Sequence, residues 1–413
     1  MPEFVADFHI HSRYSRACSK ALCVKELAKW AKLKGIGVLG TGDFTHPLWL
    51  QELKDTLRQT GQGLFEFDGV RFMLTVEVNT LFYRNGRAHN IHHVLLAPSF
   101  EAVERINQEL SRFGSLSLDG RPILQMEAWR LVEIVLGVEP RCLIVPAHAW
   151  TPHFAIFGSN SGFDSVEACF EHQAHNIFVL ETGLSSDPAM NWRLSQLDRY
   201  ALISNSDSHS AHRIGREANV FNCAYDYDEI VTALKTKDRE KFLYTVEFFP
   251  EEGKYHLDGH RNCKVRWTPS ETKRNNFRCT SCGRRVTVGV MHRIETLADR
   301  PEGAQPPGAI PFKSTVPLEE IISDVLGVGT GTQTVDREYF GLLERCGTEF
   351  DVLLKTPEEA LRSAAPAKIA EGILRMRQGQ VTIEPGYDGE YGKVHIFGEA
   401  QPLVPSEQQM TLF

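Results

Sequence analysis

FVADFHIHS, residues 4–12, opens as a short apolar run and ends in Asp7, His9 and His11. Alternate residues of a strand share a face, so His9 and His11 are expected to point one way, with Asp7 beside them. The pattern recurs. Further apolar runs at 36–41, 72–77, 91–96, 142–146, 178–181 and 200–204 read as strands. The second leads into Asp43, with His46 just beyond, and the third ends at Glu77. The fourth carries His92 and His93, the fifth leads to His148, the sixth ends at Glu181, and the seventh runs into Asp207 and His209. Helical patterns fall between several runs, at 24–33 (stopped by Gly35), 47–57, 101–113 and 127–136. This alternation predicts an α/β layered or barrel fold rather than a β sandwich. In a strand–helix barrel the C-terminal strand ends converge on one mouth.

Imidazole and carboxylate together suit Zn, Mn or Fe, and a cluster this large suits more than one ion. Such ions lower the pKa of bound water from about 15.7 to about 7 and offset charge on an attacked phosphate.

The 413 residues suggest two or three domains. With 45 Lys+Arg against 53 Asp+Glu, the formal charge is −8, which excludes a uniformly basic nucleic-acid binder but not a local patch. No apolar run approaches the roughly 18 residues of a membrane span. Met1–Asp7 lacks a secretory n-region. Nine scattered cysteines fit a reducing cytoplasm better than a disulfide framework.

His260-x2-Cys263 and Cys279-x2-Cys282 are spaced to close one tetrahedral site, and thiolate with imidazole selects zinc. His256 is a rival fourth ligand, and Gly283 supplies the turn after the second knuckle. The site is expected to be structural. The surrounding window, 261–300, holds ten basic and three acidic residues, a net +7 that leaves −15 for the remainder. Lys264, Arg266, Lys273, Arg274, Arg278, Arg284 and Arg285 are candidate DNA contacts. Trp267 and Phe277 read as a mini-core among them. The other cysteines, 18, 23, 142, 169, 223 and 346, read as small buried hydrophobes.

The expected organisation is a metal-binding domain over 1–240, a zinc finger over 241–300, a helical DNA-binding domain over 301–380, and a tail over 381–413. A Pro/Gly linker at 301–311 precedes helices at 318–326, 337–345 and 357–378. A short hairpin is expected around Gly386–Gly392. The chain ends in Gln408-Gln409-Met410-Thr411-Leu412-Phe413, an apolar pair on a polar tail that suggests docking into a partner groove.

DFHIHS at 7–12, TGDFTH at 41–46, IHHVLLA at 91–97, PAH at 146–148 and NSDSH at 205–209 resemble the PHP (polymerase and histidinol phosphatase) superfamily of metal-dependent phosphoesterases. The resemblance implies a distorted (β/α)7 barrel. It also implies a di- or trinuclear site ligated by His9, His11, Asp43, Glu77, one of His92 and His93, His148, Asp207 and His209. Many members have His directly after the second-strand Asp; here Phe44-Thr45 precede His46. SRYSRACSK at 12–20, TGDFTHPLW at 41–49, SDSHSAHRIGREAN at 206–219 and the finger make the whole chain similar to the endonuclease Q family. That resemblance implies a DNA repair endonuclease nicking 5′ to hypoxanthine, uracil, xanthine or abasic sites. It implies zinc in the finger and the cluster, with Mg or Mn as other ions for activity. Asp207, His209, His212 and Arg213 are then the expected catalytic residues, His212, Arg213 and Arg216 by holding phosphate. Gln409, Met410, Leu412 and Phe413 resemble the pentapeptide by which bacterial repair proteins bind the sliding β-clamp. A PHP phosphatase acting on a small phosphomonoester is the alternative, and it leaves the basic finger without a use.

Overall fold

The computed structural model describes residues 3–398. All seven expected strands form, as Phe4–Asp7, Ile36–Gly40, Val70–Arg84, Arg87–Ala97, Leu143–Pro146, Val179–Glu181 and Ala201–Ile203. The first three lie side by side and parallel. Helix Val24–Lys34 makes the first crossover and ends at Gly35, in the left-handed region at φ +87°. A Cβ there would lie 2.4 Å from Thr348 Oγ1, so the close approach of the later helical region also requires glycine.

The sheet is mixed rather than uniformly parallel. Val70–Arg84 turns through Asn85-Gly86, both at positive φ, directly into the antiparallel Arg87–Ala97. This Asn-Gly turn suits a two-residue hairpin, and no helix intervenes. Glu77 and His92 therefore lie in mid-strand, not at strand ends. Among the strands beyond the expected seven, Ala218–Phe221, Phe242–Glu247 and Phe312–Ser314 extend the sheet outward from Phe4–Asp7. The sheet thus runs past residue 240 and takes its edge from beyond the Pro/Gly linker. Val179–Glu181 and Ala201–Ile203 form a separate parallel pair. Side chains bridge the gap. Asn205 Oδ1 accepts from Phe8 N–H at 2.8 Å, and Asn219 Oδ1 accepts from Ser204 N–H at 3.0 Å.

Alternate strand residues sort into two apolar layers. Ala6, Phe8, Val38, Met73, Val94, Val145, Val179, Ala201 and Phe221 fill the barrel, with helix Tyr227–Thr236 against them. Val5, Leu39, Phe72, Leu74 and Ile144 face outward beneath helices Val24–Lys34, Pro47–Thr56, Phe100–Leu110 and Ala128–Val138. Each fully buried aliphatic side chain contributes about 1.5–3 kcal/mol.

Helices Leu318–Leu326, Gln333–Cys346, Glu358–Ala364 and Ala367–Arg377 share a separate core. The single helix expected over 357–378 is broken at Pro366, which lacks a donor and disfavours helix in the residue before it. The hairpin forms between Thr382–Glu384 and Lys393–His395, with Ile396 in the helical core. No helix among the described residues is long and apolar enough to cross a membrane. The clamp-like Gln409, Met410, Leu412 and Phe413 lie outside the described residues.

Candidate metal centre

Two donor groups meet on one carboxylate. His9, His11, Glu77 and Asp207 place ligand atoms within 4.8 Å of one another, and so do Glu77, His92 and His148. In the first group His11 Nε2 lies 3.0 Å from Asp207 Oδ1 and 3.4 Å from Glu77 Oε2, and His9 Nε2 lies 3.6 Å from Glu77 Oε2. In the second, Glu77 Oε1 lies 2.6 Å from His92 Nδ1 and 3.0 Å from His148 Nε2. The two oxygens of Glu77 thus face different donor groups, so this carboxylate would be available to both. The donors fit cations on a further count. His9 Nε2 is buried without a hydrogen-bond partner, a costly state for a nitrogen with no ion to bind.

Outer contacts fix the imidazoles. Glu181 lies 3.0 Å from His9 Nδ1, and its oxygens also accept from His148 N–H and Asn205 Nδ2, each at 2.8 Å. Asp43 lies 3.2 Å from His11 Nδ1 and accepts from Ser12 N–H, Ser12 Oγ and Ser15 Oγ at 2.6–2.9 Å. His148 Nδ1 lies 3.1 Å from Thr151 Oγ1. Such partners leave the far nitrogen to the metal and raise its basicity. Asp43, His148 and Asp207 all sit at positive φ, unusual for residues with a Cβ and common where backbone strain serves a site.

Charge coupling is strong. Burial opposes a proton on His9, but Glu181, Glu77 and Asp207 outweigh it and raise its pKa well above the usual range. His11 is raised in the same way by Asp207, Asp43 and Glu77. Burial would raise Glu77 and Asp207, yet the surrounding imidazoles hold both low. A site that favours positive charge this strongly suits divalent ions.

Several expected ligands stand elsewhere. Asp7 is not in the cluster. Strand pairing ends at Asp7, so the alternation does not carry through to His9, and its carboxylate accepts instead from Ser206 N–H at 3.1 Å and Gly215 N–H at 2.8 Å. Burial raises it to about 6. Asp43 and Glu181 stand behind His11 and His9 rather than among the donors. His93 faces the other side of its strand, 2.9 Å from Thr80 Oγ1 and against Phe170, whereas His92 pairs across from Asn79 on the face of Glu77. His46 opens a helix and stacks on Tyr14 at 4.4 Å, outside both groups. His209 lies on the rim, its ring 4.6 Å from that of His11 and its Nδ1–H donating to Asp207 O at 2.9 Å.

Nor do all the expected phosphate contacts gather. His212 packs edge-on to Trp30 at 6.0 Å, towards the helical region, and Arg213 is exposed away from the donors. Arg216 stays close, its Nε donating to Ser206 O at 2.9 Å, one residue from Asp207. One cation was missed. Arg121 Nη1 donates to Glu77 Oε2 at 3.1 Å. It lies in a Gly/Pro loop without periodicity; its only signal is a lone Arg between Gly120 and Pro122.

His260, Cys263, Cys279 and Cys282 form the remaining donor group. Strand Asp258–His260 pairs with Val265–Trp267, and Gly283, at φ +71°, donates to Cys279 O at 2.8 Å. The Arg284 backbone N–H holds the Cys282 thiol down to about 7, towards the thiolate that binds metal. His256 is buried apart from the group. Cys279 and Val286 are the only buried apolar side chains between 257 and 288, so this region has little core of its own. All seven candidate DNA contacts are exposed, and none forms an ion pair among the described residues. Trp267 and Phe277 are half-buried, Phe277 against His292 at 5.2 Å. Cys142, Cys169 and Cys223 are buried, whereas Cys18, Cys23 and Cys346 are only partly so.

A mixed α/β fold that gathers two imidazole–carboxylate donor groups on one shared carboxylate has the make-up of a metal-dependent phosphodiester hydrolase. The chain superposes on the crystal structure of the lesion-specific endonuclease PfuEndoQ from Pyrococcus furiosus with a TM-score of 0.87 and 32% identity, over 95% of each chain. It superposes on endonuclease Q bound to a 27-mer duplex with an abasic lesion at the active site with a TM-score of 0.85 and 32% identity, over 96% of this chain and 97% of that one. The chain belongs to the endonuclease Q family. Residues 317–380 match the family model of the MJ0043 C-terminal domain. The uncharacterized protein YqxK of Bacillus subtilis is 28% identical over 95% of this chain and all of its own length. The uncharacterized protein MJ0043 of Methanocaldococcus jannaschii is 32% identical over 60% of this chain, which spans only 31% of that protein.

Proposed function

We propose that this chain is a DNA repair endonuclease that hydrolyses the phosphodiester 5′ to a deaminated base or an abasic site. The observation that carries the reading is the sharing of Glu77 between two donor groups, in a chain similar along its length to a structure that holds lesion DNA. His9, His11, Glu77 and Asp207 would hold one ion, and Glu77, His92 and His148 a second. Held there, such ions would supply a water made acidic near neutral pH and would offset charge on the attacked phosphate. Glu181 and Asp43 keep His9 and His11 oriented throughout. His209, 35% exposed at the rim, is placed to pass a proton to the departing 3′ oxygen.

The finger would carry zinc on His260, Cys263, Cys279 and Cys282, stapling a region with little core. Its seven unpaired cations would neutralise backbone phosphates, which otherwise meet an acidic protein. Docking of Gln409–Phe413 on a sliding β-clamp and a cytoplasmic location are supported by the sequence alone.

The test is incision of end-labelled duplexes carrying one hypoxanthine, uracil, xanthine or abasic site, with Mg, Mn or Zn supplied. A single cut 5′ to the lesion is expected, with undamaged duplex left whole. Intact lesion duplex, beside turnover of a generic phosphomonoester, would overturn the reading.

A further inference from the structure

We propose that Arg121 is a catalytic residue that grips the scissile phosphate over the shared carboxylate; the inference rests on the nuclease reading above. Its side chain is 27% exposed, so the rest of it lies inside the protein. A guanidinium has five N–H donors. Among the described residues Arg121 commits one of them, to Glu77 Oε2 at 3.1 Å. Among other part-buried arginines, Arg216 likewise commits one donor, to Ser206 O, whereas Arg377 and Arg300 are used more fully. Arg377 donates to three backbone carbonyls, and Arg300 forks onto Asp198 and also reaches Trp192 O.

The position is built. Arg121 N–H donates to Asp119 Oδ1 at 3.1 Å, and Arg16 lies 3.2 Å from the same carboxylate. Gly120 N–H donates to Tyr14 O, and a Cβ at Gly120 would lie 2.3 Å from the Asp43 carboxylate. Only glycine lets the loop come this close. Asn79 N–H donates to Pro122 O at 3.0 Å, and Ile123–Leu124 pairs with Asn79–Thr80. The guanidinium is thus tied to the strand that carries Glu77.

Its charge cannot be shed, since arginine stays protonated. A fixed cation against the carboxylate that would join two ions weakens their binding unless an anion joins them. The anion that belongs at this spot is the phosphate under attack. Its non-bridging oxygens would take the uncommitted donors in a fork, and the contact tightens as charge builds on them.

The test compares wild type, Arg121→Ala and Arg121→Lys, each fully metal-loaded and assayed for bound metal. Single-turnover cutting of an abasic duplex should fall on the order of 100-fold or more in Arg121→Ala. Arg121→Lys should recover part of it. Bound metal should be unchanged, and affinity for inorganic phosphate by calorimetry should fall at least about tenfold, as expected for losing a charged hydrogen-bond partner. Wild-type cutting in Arg121→Ala overturns the assignment. So does loss of cutting that tracks loss of metal, which would make Arg121 a prop for Glu77. If wild type cuts no lesion duplex, the nuclease reading fails, and bis(p-nitrophenyl) phosphate hydrolysis with phosphate binding still decides the role of Arg121.

Discussion

Lys34 Nζ lies 2.8 Å from Glu349 Oε2, and both side chains are about 95% buried. The pair joins the first barrel helix to the helical region. Tyr339 OH donates to the same oxygen at 2.6 Å, and Leu318 N–H to the other at 3.1 Å. Removing one partner strands the other charge, so Lys34→Met should cost roughly 3–5 kcal/mol in denaturant unfolding. The double variant Lys34→Met with Glu349→Met should recover a measurable part. Equal losses in both would show that the pairing is not the cause.

Glu181 should control His9 without binding metal itself. Glu181→Gln turns one acceptor into an amide N–H facing His9, His148 N–H or Asn205. Metal affinity should fall by about 10–100-fold, read by competition with a chelating dye. Unchanged affinity would remove its role.

Adjacent histidines should behave oppositely. His92→Ala should strip an ion from the cluster, because His92 shares the face of Glu77. His93→Ala should leave the metal content alone and cost about 1–3 kcal/mol through the lost packing against Phe170 and the lost bond to Thr80, whose hydroxyl keeps its bond to Ile91 O. Elemental analysis beside thermal melts separates the two.

Glu217 and Glu247 form a buried acidic pair behind the barrel. Burial first, offset in part by hydroxyls from Thr245, Thr182 and Ser204, pushes Glu247 up to about 8. Burial and Glu247 together raise Glu217. The folded chain therefore holds a proton that the unfolded chain releases near pH 4.5. Stability from this pair is full below that pH and is lost as pH rises towards about 8, at roughly 1.4 kcal/mol for each pH step of one. The gap in unfolding midpoint between Glu217→Gln and wild type should move in favour of the variant from pH 5.5 to pH 8. A constant gap would contradict the coupling.

Much of this site was legible because its chemistry is carried by rare residue types at fixed spacing. His9, His11, Glu77, His148 and Asp207 are brought together, and the donor atoms of His260, Cys263, Cys279 and Cys282 lie within 4.8 Å of one another. The choice between His92 and His93 is a matter of register: Asn79 pairs across from His92, which therefore shares the face of Glu77. Asp7 misled because alternation was carried past the end of a strand. Asp43 and Glu181 are the right residues at the right depth, but sequence does not separate a metal donor from the acid behind it. Strand Ala218–Phe221 went unseen because buried Asn219 interrupts its apolar run, its side chain spent bridging the barrel. Arg121 had no periodic neighbour to mark it, since its place is set by a glycine contact and strand pairing far off in sequence.

The most direct test of the shared-carboxylate centre is metal content per chain, for wild type and Glu77→Gln purified alike. Wild type should hold at least two ions beyond the one assigned to the finger, and Glu77→Gln should lose those while keeping one. A single ion per chain in both proteins would contradict the account.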